Sequence, residues 1–244
     1  MTSTNASVQT TLRIPGAWSH PRELLERMPD EVRLLPDRLV LPDGTDVELT
    51  ALPPDEQFSG IFRSACRRPA TVEELQIVGH YTANIALTGP GGSLDAARAM
   101  MQAGAAIVRA GGVGVFIDNS GLAHGGGAWL EMADDGGPDA LSFAFVSLIG
   151  GQRELATMGM HVLGFPDLVM NRADGDADTL VEVIRYVAAG DKPIGDGHIL
   201  ADDRGAPRFH VARTSGNERT TASPMDNPFG RLRLTSVKEI AESN

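Results

Sequence analysis

His80 to Asp118 reads HYTANIALTGPGGSLDAARAMMQAGAAIVRAGGVGVFID, and its punctuation decides the fold. An apolar run, IVGHYTANIAL, enters a glycine loop at Gly89, Gly91 and Gly92. Ser93 then stands at a helix N-cap with Asp95 in the first turn, where an acceptor and a negative charge both suit the exposed amides. Leu94, Ala97, Met101, Ala105 and Val108 recur at helical spacing, and Gly111-Gly112 ends the helix. A second strand-like run, VGVFID, closes the stretch. The reading is a β-loop-α-β unit.

A glycine loop between strand and helix is a common place for phosphate, so Gly89, Gly91, Gly92 and Ser93 are candidate anion ligands. The dinucleotide pattern needs a third glycine where Leu94 stands, and the phosphate-loop pattern needs a lysine that is absent. The stretch therefore reads as scaffold first. Chemistry is expected at its two ends, His80 and Asp118 to His124.

On the N-terminal side, residues 1–11 are rich in Thr, Ser and Asn and read as a flexible arm. Residues 12–70 read as an extension packed on a core of 71–244, in one domain. Leu12 to Trp18 is a short extended piece ended by Pro15-Gly16, and Pro21 opens a short helix with Ser19 as cap. Two short strands flank a turn at Pro42-Asp43-Gly44, and prolines 36, 42, 53 and 54 place them at a sheet edge. Asp55 to Arg68 is ambiguous. Thr71-Val-Glu-Glu74 fits a capping box, starting a helix that ends by Gly79.

On the C-terminal side, a glycine-rich loop with a short helix at Trp129 precedes a strand, ALSFAFVSLIGG, and its hairpin partner ELATMGMHVLGF. His161 falls inside that partner strand. The run turns at Gly164-Phe165-Pro166-Asp167. Asp178 to Ala189 carries a clear helical stripe, and short strands follow near Pro207 to Arg213 and in GRLRLTSV. The expected fold is α+β: a mixed sheet around the central unit, with the helices at 94–110 and 178–189 packed on it.

Composition narrows the function. A net charge of −11 is the wrong sign for nucleic acid and the right sign for a basic protein partner. No apolar run reaches the ~20 residues of a bilayer span, and the first residues lack the basic and apolar segments of a signal peptide. A cytoplasmic location follows. One cysteine, Cys66, rules out an internal disulfide; the neighbouring Arg67 and Arg68 could lower its thiol pKa, but a lone cysteine is more commonly an inert packing residue.

Asp118, Ser120 and His124 hold the residue types of a hydrolytic triad, but no G-x-S-x-G elbow surrounds the serine. No histidines stand at metal-binding helical spacing. His80 and His161, read as strand residues, would make a metal site only by meeting across the sheet with Asp167. Core histidines bonded to backbone are commoner, so neither metal nor cofactor is expected. Trp18, Phe229 and Arg231, the last two in MDNPFGRLRL, read as exposed partner contacts.

IPGAW, IVGHYTANIAL, AGGVGVFIDNSGLAH with Trp129, MGMHVLGFPDLVM and DNPFGRLRL, in this order, resemble a family of uncharacterised bacterial proteins. Its members occur near secretion systems and polymorphic toxins. The resemblance spans residues 12 to 237 and rests on glycine, aliphatic and turn positions. It implies an immunity or effector-associated accessory protein and brings no catalytic residues. The leading expectation is a non-catalytic binding protein. The rival is a small hydrolase or metal-dependent enzyme using His80, Asp118 and His124. A self-assembling subunit is a third reading, and the oligomeric state is left open.

Overall fold

The computed structural model describes residues 8–190, 194–201, 206–214 and 223–237. The central unit forms with a difference. Strand β1 (Gln9–Gly16) lies between the two strands that flank the glycine loop and its helix, and is antiparallel to both. The flanking strands therefore run in the same direction without touching each other, in a split β-α-β arrangement.

The first sheet is completed by β2 (Arg33–Leu34), β3 (Arg38–Val40), β4 (Asp46–Leu52), β5 (Ala83–Pro90), β6 (Gly114–Ile117) and β7 (Leu122–Gly125), in the order β2-β3-β4-β5-β1-β6-β7. The proline-punctuated strands fall at one edge. Residues 9–11, read as part of the arm, are the start of a central strand. Pro15 lies beyond the β6 ladder, which pairs only Leu12 and Arg13, so its missing amide breaks no ladder bond, while its carbonyl accepts from the Val113 amide.

Before the glycine loop come three short helices: α1 (Pro21–Glu26), α2 (Phe58–Ala65) and α3 (Val72–Gly79). His20, rather than Ser19, caps α1 through its ring nitrogen. The Thr71–Glu74 capping box forms, and Glu74 also accepts the Gly127 amide at the start of a later helix. Helix α4 (Leu94–Arg109) begins at the Ser93 cap and packs on β5, β1 and β6. Ala97, Met100, Met101, Ala103, Ala105, Ala106, Ile107 and Val108 are all buried, so α4 is covered on more than one face. Its other side meets α5 (Gly126–Asp135) and α6 (Pro138–Phe145). Gly104 leaves room there for Trp129, whose indole donates to Met101 O at 3.1 Å.

The second sheet contains β8 (Ser147–Gly150), β9 (Glu154–Met158), β10 (Asp167–Asn171), β11 (Ile199–Ala201), β12 (Pro207–Thr214) and β13 (Arg231–Ser236). Its order is β11-β12-β13-β10-β9-β8, with β10 and β13 parallel and the other pairs antiparallel. Helix α7 (Ala177–Ala189), capped by Asp176, packs on α6. The fold is α+β with two sheets, where one was expected.

Two segments depart from their sequence reading. ALSFAF is helix α6, with Pro138 in its first turn and Leu141, Ala144 and Phe145 sealed in the core. Only SLIG is strand. His161 lies in a 3-10 turn, Met160–Leu163, held between left-handed glycines at 159 and 164. Each glycine is required: a Cβ at Gly164 would stand 2.5 Å from Gly92 O, and one at Gly159 would overlap Phe145 O.

Candidate functional site

A buried polar arrangement joins the two sheets beneath residues 223–230. Asn119 follows β6 in the turn that leads to β7. Its Oδ1 accepts from the Thr11 amide at 2.9 Å, while Nδ2 donates to Gln9 O at 2.9 Å and Pro224 O at 3.0 Å. His161 Nε2 stands 2.9 Å from Pro224 O and 3.2 Å from Asn119 Nδ2. The two amide hydrogens already serve two carbonyls, so the network assigns the ring proton to Nε2, donating to Pro224 O. His161 Nδ1 is then a buried acceptor without a partner among the described residues, and so is the Ser120 hydroxyl oxygen. Burial holds the His161 imidazole below its ordinary pKa, while Pro224 O and Asp226 oppose the shift.

A second anchor lies under the same segment. Asp167 Oδ1 accepts from Thr157 Oγ1 at 3.0 Å and from the Met160 amide at 3.3 Å. Its Oδ2 accepts from Asn227 Nδ2 at 3.0 Å, and that amide also reaches Phe165 O. Burial raises the Asp167 carboxyl, against the pull of these donors. The arrangement satisfies a buried carboxylate and fixes where 223–230 crosses the sheet ends.

The residues expected to carry catalysis do not meet. His80 is exposed at the C-cap of α3. Asp118 accepts both contacts of the Arg13 Nε, at 2.8 and 2.9 Å. His124 is buried between Trp129 and Phe143, its Nε2 3.0 Å from Ala144 O. Burial lowers its pKa to about 4, with Arg67 and Arg68 adding to the shift. These are three separate environments, and Ser120 shares a hydrogen bond with none of them. His80, His161 and Asp167 do not assemble either. Among the described residues no group of three His, Cys, Asp or Glu side chains is placed to hold a metal.

The glycine loop is occupied by its own backbone. The Gly91 amide donates to Val8 O and the Gly92 amide to Val162 O, while Ser93 Oγ accepts from the Ala96 amide. Neither glycine amide is left for an anion. Trp18, expected as a partner contact, is 6% exposed and donates to Ala110 O at 2.8 Å. Phe229 is half-buried, and Arg231 is exposed. The Cys66 thiol is pushed up by burial, the reverse of the expected direction. Arg67 turns away from it, donating to Phe143 O at 2.8 Å and Val146 O at 2.6 Å.

Asn227 was not singled out from the sequence, and Asn119 and Arg67 were read only as neighbours of Asp118 and Cys66. Asp118-Asn119 and Asp226-Asn227-Pro228 are turn dipeptides, which signal a bend but not the long-range partner that each amide finds.

The surface offers one further feature. Glu182, Val183 and Tyr186 of α7 face Leu200, Ala201, Arg208 and Phe209 of β11 and β12 across a cleft of about 340 Å³. Arg208 bridges it, 2.8 Å from Glu182 Oε2 and stacked over the Phe209 ring. Tyr186 is 46% exposed and Ile199, on β11 beside the cleft strands, 59%. Comparison with family models, curated proteins and solved structures returns no match to this chain. No helix among the described residues is long and apolar enough to cross a membrane.

Proposed function

We propose that the chain is a non-catalytic binding protein for a basic protein partner, of the immunity or effector-associated kind that the resemblance implies. The observation that carries this reading is the dispersal of the polar groups that an enzyme would need. His80, Asp118 and His124 stand apart, and the strongly perturbed His124 is sealed against a backbone carbonyl. Perturbed groups support an active site only when they converge on accessible space. The α7–β12 cleft instead combines an exposed aromatic, Tyr186, with a single carboxylate, Glu182, bridged by Arg208, and aromatic and arginine side chains are the residues that most often anchor protein contacts. The overall charge of −11 would favour encounter with a basic partner.

The test is affinity capture from the source cell at low and high salt, using the wild-type chain and a Tyr186→Ala, Glu182→Lys double variant. The reading expects one basic protein, retained at low salt, released at high salt and lost from the variant. Recovery of no stoichiometric partner at low salt would end it.

A further inference from the structure

Residues 223–230 lie across the junction of the two sheets, and four of these residues make contacts that hold the segment there. Pro224 O takes hydrogen bonds from Asn119 and His161, and the Met225 methyl sits beside Gly121. Asn227 is tied to Phe165 O and Asp167, and the Phe229 ring rests near Gly92. Beneath the strap lie the Asn119 amide, the His161 ring and Ser120, a polar group of which two atoms lack partners among the described residues.

We propose that residues 223–230 form a strap that closes over Asn119, Ser120 and His161 at neutral pH and is released when His161 takes up a second proton. In the closed state Nε2 holds its proton toward Pro224 O, so the incoming proton goes to Nδ1. There it becomes a buried donor with no acceptor among the described residues and brings a positive charge into a desolvated site. Opening the strap rehydrates the ring and removes both costs.

Asp167 of β10 is a second buried titratable group that holds the strap through Asn227, and burial raises its carboxyl, so the His161→Gln comparison is what isolates the ring. Within the strap, Asp226 acts on the ring and partly offsets the cost. Strand β1 and the β6–β7 turn present the neutral Gln9 O, Thr11 amide and Asn119. Helices α4 and α6 pack on the 3-10 turn that carries His161. Their ionisable groups are Asp95, Arg98, Arg109 and Asp139, with Asp95 bound to Arg98 and Arg109 to Asp134. The folded ring titrates below its ordinary value of 6.5, so the closed strap is favoured above that value and loses its advantage as the pH falls below it. If the closed form stays unprotonated while the open form titrates normally, opening increases as much as about 30-fold by about pH 5.

Amide hydrogen exchange on the intact chain tests this at about pH 7.5 and about pH 5, corrected for intrinsic exchange chemistry, with α4 as internal reference. The strap should lose protection by about tenfold or more while α4 keeps its own, and His161→Gln should abolish that difference. A strap indifferent to pH would overturn the proposal, as would one that loses protection only together with α4, or one that still responds in the variant. Should His161→Gln not fold, NMR titration of the wild type decides. The His161 ring and the strap amides share one midpoint if the proposal holds, and separate midpoints refute it.

Discussion

His124 and His161 are both buried imidazoles, yet only one has every contact it needs within a rigid part of the fold. His124 is locked between rings and the end of α6, and its pKa is lowered to about 4 from 6.5. A depressed histidine contributes stability above its unfolded pKa and loses it as the pH falls through the folded value. Acidification from pH 6.5 to below 4 should therefore cost on the order of 3 kcal/mol through this residue. Urea denaturation across that range should show the loss in wild type and a flatter profile in His124→Gln, which keeps a donor for Ala144 O and cannot ionise. Cys66 gives a second check at this scale. Its raised pKa leaves the thiol protonated near neutrality, so it should react with a thiolate-seeking reagent more slowly than a free cysteine. The sequence placed Arg67 beside Cys66 but could not show that its guanidinium would be spent on two carbonyls at the end of α6.

At the scale of elements, local signals read well wherever the partner of a residue lay within a few positions. The Ser93 and Thr71 caps and the Asp43-Gly44 turn formed as their spacing required. The errors arose where burial removed the pattern. Helix α6 is apolar on nearly every side, so ALSFAF carries no helical stripe, and its start signals, Gly137 and Pro138, were outweighed by its β-forming residues. The insertion of β1 between β5 and β6 rests on two pairings, Leu12 with Leu87 and Leu12 with Ile117, whose partners are far apart in sequence, which no local pattern records. Candidate-site residues were legible as types but not as a constellation: Asp118 and His124 end up facing different neighbours. Gly159 tests how rigidly the His161 turn is held. With φ of +100° and no room for a Cβ, Gly159→Ala should destabilise the protein by more than about 2 kcal/mol in chemical denaturation. Gly44→Ala has an open site at φ of +85° and should cost about 1 kcal/mol.

For the whole molecule, the buried polar contacts of Asn119, His161 and Asp167 join the two sheets to residues 223–230. On the binding reading proposed above, the acidic balance would favour a basic partner. The glycine loop on which the fold turns contributes architecture, since its amides bind Val8 and Val162. The most direct measurement is quantitative capture of cellular partners at low and high salt by wild type and by the Tyr186→Ala, Glu182→Lys variant. The binding account expects a single basic protein, stoichiometric with wild type at low salt, that dissociates at high salt and is missing from the variant. A partner held equally by both chains, or the absence of any stoichiometric partner, would contradict it.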